Sequence, residues 1–282
     1  MTDLHDIVLQ FDLKGQIESI RPLGNGLIND TYKVNTLDGP SYVLQRINHN
    51  IFRDVELLQN NIVSVTGHIR RKLEAEGVAD IDRKVLTFIP LKNSQVTWYF
   101  DGSSYWRVSL FIENAFTYET VNPEYSYYAG RSFGNFEAML ADIPDTLGET
   151  IPDFHNMELR ARQLEEAVAS DAVGRMAEDE VREILKEILV HREEMCKAER
   201  MYREGTLPKR ICHCDTKVNN MMFDASGDVL CVIDLDTVMP SFVFSDFGDF
   251  LRTAANKVAE DDPRIDMVEF DMEIFKAFAK GY

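Results

Sequence analysis

The segment His213-Cys214-Asp215-Thr216-Lys217-Val218-Asn219-Asn220 fits the spacing His-x-Asp-x₄-Asn. A second aspartate, Asp234, ends the apolar run Val229-Leu230-Cys231-Val232-Ile233, nineteen positions after Asp215. Two carboxylates and an amide in neighbouring loops make a set of hard oxygen donors, which is what Mg²⁺ favours, and Mg²⁺ needs only one or two of them from protein. Phosphoryl transfer asks for little else, because it depends on positioning and on neutralising phosphate charge. One carboxylate must face the attacking hydroxyl and other oxygens must hold the metal; Asp215, Asn220 and Asp234 supply that set. Taken singly, Asp, Asn and His in a loop are most often turn formers and caps. Their joint spacing, the flanking apolar strands and a β-rich segment before them point together to phosphoryl chemistry.

Other residues join this set less directly. Lys217 stands two positions after Asp215, an offset at which a lysine in the comparable loop of many protein kinases touches the γ-phosphate. Its bland alternative is a solvated surface lysine. Gly24-Asn25-Gly26 falls between two expected strands, where glycines let backbone N–H groups approach phosphates; an ordinary tight turn is the competing reading. His213 reads as a structural loop residue rather than a base. Asp246-Phe247-Gly248 spells a metal-binding triplet of protein kinases, but Asp234 already takes the strand-end position. Ser245 or Asp246 is therefore expected to cap a helix starting near residue 246.

The elements that must position these residues divide in two. Residues 17–23, 31–35, 42–47, 85–90, 95–100 and 105–112 read as strands, separated by turn signals such as Asp101-Gly102. One helix is inserted after the third strand, where Val55, Leu58, Ile62, Val65, Ile69 and Leu73 recur at three- and four-residue steps. After about residue 113 long helices follow: one from Pro123 toward Leu140, one over 157–170, and one over 178–203 that ends at Gly205. Short strands near 209–212 and 229–233 bracket the motif, and a last helical pattern runs through Met267, Phe270, Ile274, Phe275 and Phe278.

Composition narrows the class. The 282 residues are 45% hydrophobic and 28% charged, as in an ordinary globular protein. The formal charge of −18 leaves no basic stripe for a phosphate backbone, which argues against nucleic acid. No uncharged apolar run approaches a membrane span, and the acidic N-terminus lacks a signal pattern, so no membrane association and a cytoplasmic location are expected. Cys212 and Cys214 flank His213 without a second ligand pair, which disfavours a zinc shell.

Residues 24–32, 42–48, 106–113, 213–220, 233–240 and 246–252 together resemble bacterial N-acetylhexosamine 1-kinases, of the aminoglycoside-phosphotransferase superfamily. The fuller strings Asp215-Thr216-Lys217-x-Asn219-Asn220 and Ile233-Asp234-Leu235-Asp236-Thr237-x-Met239-Pro240 point to the hexosamine-kinase branch. The resemblance implies an α+β, protein-kinase-like two-lobed fold. Residues 1–112 would be a small antiparallel-sheet nucleotide-binding lobe of five or six strands, and 113–282 a mainly helical catalytic and substrate lobe. It implies ATP as co-substrate, Mg²⁺, and transfer to the anomeric hydroxyl of GlcNAc or GalNAc. Asp215 would be the catalytic base, Asn220 and Asp234 the metal ligands, and Gly24, Asn25 and Gly26 a cover over the phosphates. Backbone near Phe111, Ile112 and Glu113 would pair with adenine. Gln45 stands where protein kinases place a phosphate-binding lysine, so Arg46 or Lys217 would contribute the charge. Family members continue beyond the position of residue 282, and that portion would contribute to the sugar pocket. The competing expectations are a kinase of this fold acting on choline, ethanolamine, homoserine or an aminoglycoside, and an inactive nucleotide-binding pseudokinase.

Overall fold

The structure, a computed structural model, describes residues 3–24, 28–118, 122–258 and 262–282. Asn25 and Gly26 of the expected phosphate loop lie outside these residues. The chain forms two compact units, Met1–Ile151 with Ile211–Tyr282, and Pro152–Arg210.

The first unit is mixed α+β and opens with a short helix α1 (Leu4–Val8) and a six-stranded antiparallel sheet. Its strands are β1 (Ile17–Pro22), β2 (Asp30–Thr36), β3 (Tyr42–Ile47), β4 (Phe88–Ile89), β5 (Trp98–Phe100) and β6 (Tyr105–Leu110). They run in the order β1-β2-β3-β6-β4, with β5 also paired to β6. Successive strand side chains point to opposite faces. Tyr42, Leu44, Trp106 and Val108 accordingly pack on Ile7 and Val8 of α1. The register Val43↔Ser109 and Gln45↔Arg107 sends the alternate side chains to the other face, which becomes a wall of the candidate site. The expected strands at 85–90 and 95–100 shrink to Phe88–Ile89 and Trp98–Phe100. A one-turn helix at Ile81–Arg83 precedes the former, and the Thr87 hydroxyl is taken up by Arg70 and Asp82.

Helix α2 (Val55–Ala75) is capped by Asp54, whose carboxylate accepts from Leu57 N at 2.9 Å. Its buried face, Val55, Leu58, Ile62, Val65 and Ile69, meets Phe136, Leu140, Leu235 and Val238. Buried Asn61 on that face donates to Gly148 O at 2.8 Å and Val238 O at 3.0 Å, tying α2 to the loop after Asp234. Helix α3 (Pro123–Met139) begins at cap Asn122 with proline in its first turn. Between α3 and the C-terminus come β7 (Arg210–Cys212), the hairpin β8 (Met221–Phe223) and β9 (Val229–Val232), β10 (Met239–Ser241), α7 (Val243–Ala254) and α8 (Met272–Gly281), the numbering leaving α4 to α6 to the second unit. Strands β7 and β10 pair. Helix α8 lies so close to α3 that a Cβ on Gly130 would sit 2.3 Å from Phe278 O.

The second unit holds α4 (Met157–Ser170), α5 (Asp179–Met195) and α6 (Lys197–Arg203). The single helix expected over 178–203 breaks at Cys196, where no proline or glycine marks the break. Gly205, at φ 73°, takes the left-handed position after α6. An apolar concavity of about 880 Å³ lies along α4 and α5, lined by side chains such as Leu164, Val168, Leu185 and Leu189. Among the described residues no helix is long and apolar enough to cross a membrane.

Candidate active site

The loop after β7 is held from several sides. Asp246 accepts from His213 N at 2.6 Å and from Cys214 N at 2.8 Å. Thr216 Oγ1 donates to Asp246 O at 2.6 Å, and Thr237 Oγ1 donates to His213 O at 2.8 Å. His213 Nε2 donates to Ile233 O at 2.9 Å, which leaves Nδ1 to accept from Asp215 N at 3.3 Å. That pattern fixes the Nε2–H tautomer and makes His213 a brace between the two motif loops. The brace allows unusual backbone: Cys214 and Asp234 adopt φ of 64° and 57°. Such left-handed conformations in non-glycine residues are unfavourable and persist where surroundings impose them.

Asp246 corrects the capping expectation. Helix α7 starts at Val243 with Phe242 at its cap, so Ser245 and Asp246 lie inside the first turn. Asp246 is fully buried and its carboxylate serves the backbone of the Asp215 loop instead of its own helix. Burial pushes its pKa up to about 7, against the pull of the two N–H donors. None of the four cysteines is in a disulfide. Burial pushes the Cys212 and Cys214 thiols up. Glu137, Cys212 and Asp246 approach one another closely enough to suggest a metal. Both Asp246 oxygens are occupied by N–H donors, however, and a thiol held protonated is a poor ligand.

The Asp215 loop and the Asp234 loop meet through the β8–β9 hairpin. Met221 pairs with Val232, and Ile233 N donates to Asn220 O at 2.9 Å, so Asn220 and Asp234 emerge side by side from one local structure. Asn220 Nδ2 donates to Asp215 O at 2.8 Å and to Asp215 Oδ2 at 3.1 Å. Lys217 Nζ lies 3.0 Å from the other carboxylate oxygen, Oδ1. Burial, then the charges of Asp236 and Asp215, raise the Asp234 carboxyl to about 6, while Arg107 and Lys217 oppose them. Asn220 Oδ1 carries no hydrogen bond among the described residues. An amide oxygen and a carboxylate crowded by other acids form a donor set that fits a small divalent cation.

Asp215, Lys217, Asn220 and Asp234 line one cavity of about 420 Å³ together with Gln45 and Phe111. Leu23, Val43, Leu86, Ile112 and Met222 supply apolar surface to it. Phe111 N donates to Ser41 O at 3.0 Å, and its ring carries Lys33 Nζ at 3.7 Å. Glu113 is exposed and pairs with Lys33 at 3.4 Å; neither it nor Gly24 is among the lining residues. Gly24 has φ 70° and open space where a Cβ would be. Arg46 points from the other face of β3 and pairs with Asp30. The lining residues left unassigned from sequence include Asn29, Arg107 and Asp236. Arg107 Nε donates to Gln45 Oε1 at 2.9 Å, its Nη1 pairs with Asp236, and Asn29 Nδ2 donates to Asp236 Oδ2 at 2.7 Å.

The family model of the phosphotransferase enzyme family (APH) matches residues 19–278. The chain belongs to that family. Solved structures share the fold of this phosphotransferase at low identity. Amicoumacin kinase hAmiN, in complex with AMP-PNP, Ca²⁺ and Ami, aligns at a TM-score of 0.62 and 17% identity, over 99% of this chain and 75% of its own. An aminoglycoside phosphotransferase from Alicyclobacillus acidocaldarius gives 0.54 and 15%, over 87% and 69%. The spectinomycin phosphotransferase APH(9)-Ia, with ADP and spectinomycin, gives 0.53 and 13%, over 99% and 78%.

Proposed function

We propose that this phosphotransferase is an ATP- and Mg²⁺-dependent kinase that phosphorylates the anomeric hydroxyl of an N-acetylhexosamine, GlcNAc or GalNAc. The observation that carries the kinase reading is the convergence of Asp215, Lys217, Asn220 and Asp234 on one cavity that also offers apolar surface. The sugar and the position rest on the extended strings around Asp215 and Asp234, which exceed what a generic phosphotransferase needs; a fold by itself does not fix a substrate. Residues 1–112 act as the nucleotide-binding part and 113–282 as the catalytic and acceptor part, in the cytoplasm, where cysteines stay reduced.

Asp215 takes the proton of the sugar hydroxyl as that oxygen bonds to the γ-phosphorus and the bond to the β-bridging oxygen breaks, releasing ADP. Asn220 and Lys217 each hold one oxygen of Asp215, which fixes the direction in which the carboxylate faces. Lys217 is also the charge available to the transferred group. Asn220 and Asp234 would hold Mg²⁺ through oxygen, and a bound Mg²⁺ supplies charge neutralisation to the phosphates. Phe111 and Ile112 carry the backbone that pairs with adenine.

The test incubates the protein with GlcNAc, ATP and Mg²⁺ and compares reducing equivalents lost with ADP formed. Equal amounts are expected, because a 1-phosphate closes the reducing end. ADP formed with undiminished reducing power would move the phosphate to another hydroxyl. Turnover only with choline, ethanolamine, homoserine or an aminoglycoside would replace the sugar, and nucleotide binding without any ADP would make the chain a pseudokinase.

A further inference from the structure

The lining of the cavity contains three carboxylates, Asp215, Asp234 and Asp236, and two cations, Lys217 and Arg107. Lys217 is committed to Asp215. Arg107 stands apart, on the sheet wall, with 2% of its surface exposed. Its guanidinium is held by Gln45 through Nε and by Asp236 through Nη1, and lies over the Phe88 ring at 5.6 Å. Those partners are themselves fixed. Gln45 Nε2 donates to Thr31 Oγ1 at 3.3 Å, and Asn29, which donates to Asp236, accepts from Asn48 N at 2.9 Å. A guanidinium has five N–H groups in a planar fork. Two are engaged here, and Nη2 carries no hydrogen bond among the described residues.

A buried ion pair alone would be a structural tie between the sheet and the loop after Asp234. That explanation leaves a nearly buried cation with several unused donors facing a cavity, an arrangement that is unfavourable unless something accepts from them. Phosphate oxygens match a guanidinium fork in charge and geometry. The cross-strand pair Gln45↔Arg107 also explains why β3 has a neutral side chain at this point: its amide oxygen orients the cation that the neighbouring strand supplies.

We propose that Arg107 binds the non-transferred phosphates of the nucleotide, supplying from β6 the positive charge that Gln45 in β3 does not carry, with Asp236 as the residue that positions it. The inference rests on the nucleotide reading above. Lys217 then serves the transfer end and Arg107 the diphosphate that remains.

The test is calorimetric titration of adenosine and ADP, in EDTA so that no metal contributes, with thermal melts as a check on folding. The wild-type protein should bind ADP more tightly than adenosine. Arg107→Gln should keep adenosine affinity within about twofold and lose about 10- to 100-fold in ADP affinity, the range of a charge-assisted hydrogen bond. Arg107→Lys keeps the charge without the fork and should fall between; it decides the question by the same ratio if the glutamine variant does not fold. Asp236→Asn keeps an oxygen acceptor for Arg107 and should weaken ADP binding less than Arg107→Gln does, with adenosine affinity unchanged. Parallel losses for both ligands in the Arg107 variants, or no loss, would overturn the proposal, and an unchanged ADP affinity in Asp236→Asn would remove the positioning role of Asp236. A wild-type protein that binds neither ligand removes the nucleotide reading and this inference together. An Arg107 variant that keeps the wild-type preference removes only the role of Arg107.

Discussion

Replacing Asp246 by alanine tests whether the Asp215 loop is held by one buried carboxylate. The substitution leaves two buried N–H groups, of His213 and Cys214, without the acceptor they meet at 2.6 and 2.8 Å. Each orphaned buried donor costs about 1–3 kcal/mol, so the pair costs about 2–6 kcal/mol. At about 2–4 °C per kcal/mol for a large domain, the melting midpoint should fall by about 4–24 °C. Activity should fall further than stability alone explains. Cys214 is held in a left-handed conformation next to Asp215, and relaxation of such a residue releases about 1–3 kcal/mol that would turn the carboxylate away. The expected result is a reduced kcat with little change in KM for ATP, measured well below the new midpoint. An unchanged melting temperature would refute the clamp.

The pH dependence of the same residue has a definite sign. Burial raises the Asp246 carboxyl from 3.8 to about 7 in the folded state. A raised pKa contributes stability that is fully present below the unfolded value and is lost as pH rises through about 7. Asp246→Asn cannot titrate. The difference in unfolding free energy between wild type and this variant, measured in urea, should therefore favour wild type more at pH 5 than at pH 8. A difference that grows toward pH 8 would mean that the two N–H donors outweigh burial and hold Asp246 as a carboxylate.

Three further outcomes are expected. Asp215→Asn should lower kcat at least about 10²–10⁴-fold, the usual range for a lost general base, while calorimetric ATP affinity stays near wild type; a near-normal kcat would remove its role. Because burial and Asp236 raise Asp234 to about 6, metal must displace a proton below that pH; the Mn²⁺ dissociation constant should rise about tenfold per pH unit below about 6 and stay level above it, and Asp234→Ala should abolish both the affinity and the slope. Gly130→Ala places a Cβ 2.3 Å from Phe278 O and must push α8 off α3, whereas Gly248, helical with open space around it, should gain up to about 1 kcal/mol as alanine; comparable midpoints for the two variants in thermal melts would contradict the packing.

What spacing can reveal is local, and the site divides along that line. Asn220 and Asp234 are brought together by a hairpin whose strands follow one another directly, so the interval between them encodes their meeting. Lys217 and Asp215 are two residues apart and touch. The same holds for α2, α3 and α4, whose apolar period or capping residues fix their bounds within a residue or two. Asp246 reaches back 33 residues to His213, a pairing that no helix-capping pattern carries, and its place at the start of an apparent helix suggested the wrong partner. The break at Cys196 left no trace because its backbone is nearly helical, with φ −83° and ψ −4°.

Arg107 marks the boundary most sharply. Its partners Gln45 and Asp236 are 62 and 129 residues away, and Asp236 also takes Asn29 from 207 residues upstream. No motif spans such intervals, yet the strand itself held a signal. In Tyr105-Trp106-Arg107-Val108-Ser109-Leu110 an arginine interrupts an apolar run in the middle of a sheet. Where the second face of such a strand is also covered, a charge on it must be paired, and its partner must come from whatever that face meets. That second face is the cavity wall. The strand that places Trp106 in the core on one side thus places a cation among the site's carboxylates on the other, through nothing more than the two-residue period of β structure. An inward charge on a central strand, read with its cross-strand neighbour, identifies a functional wall that a search confined to the catalytic loop passes over.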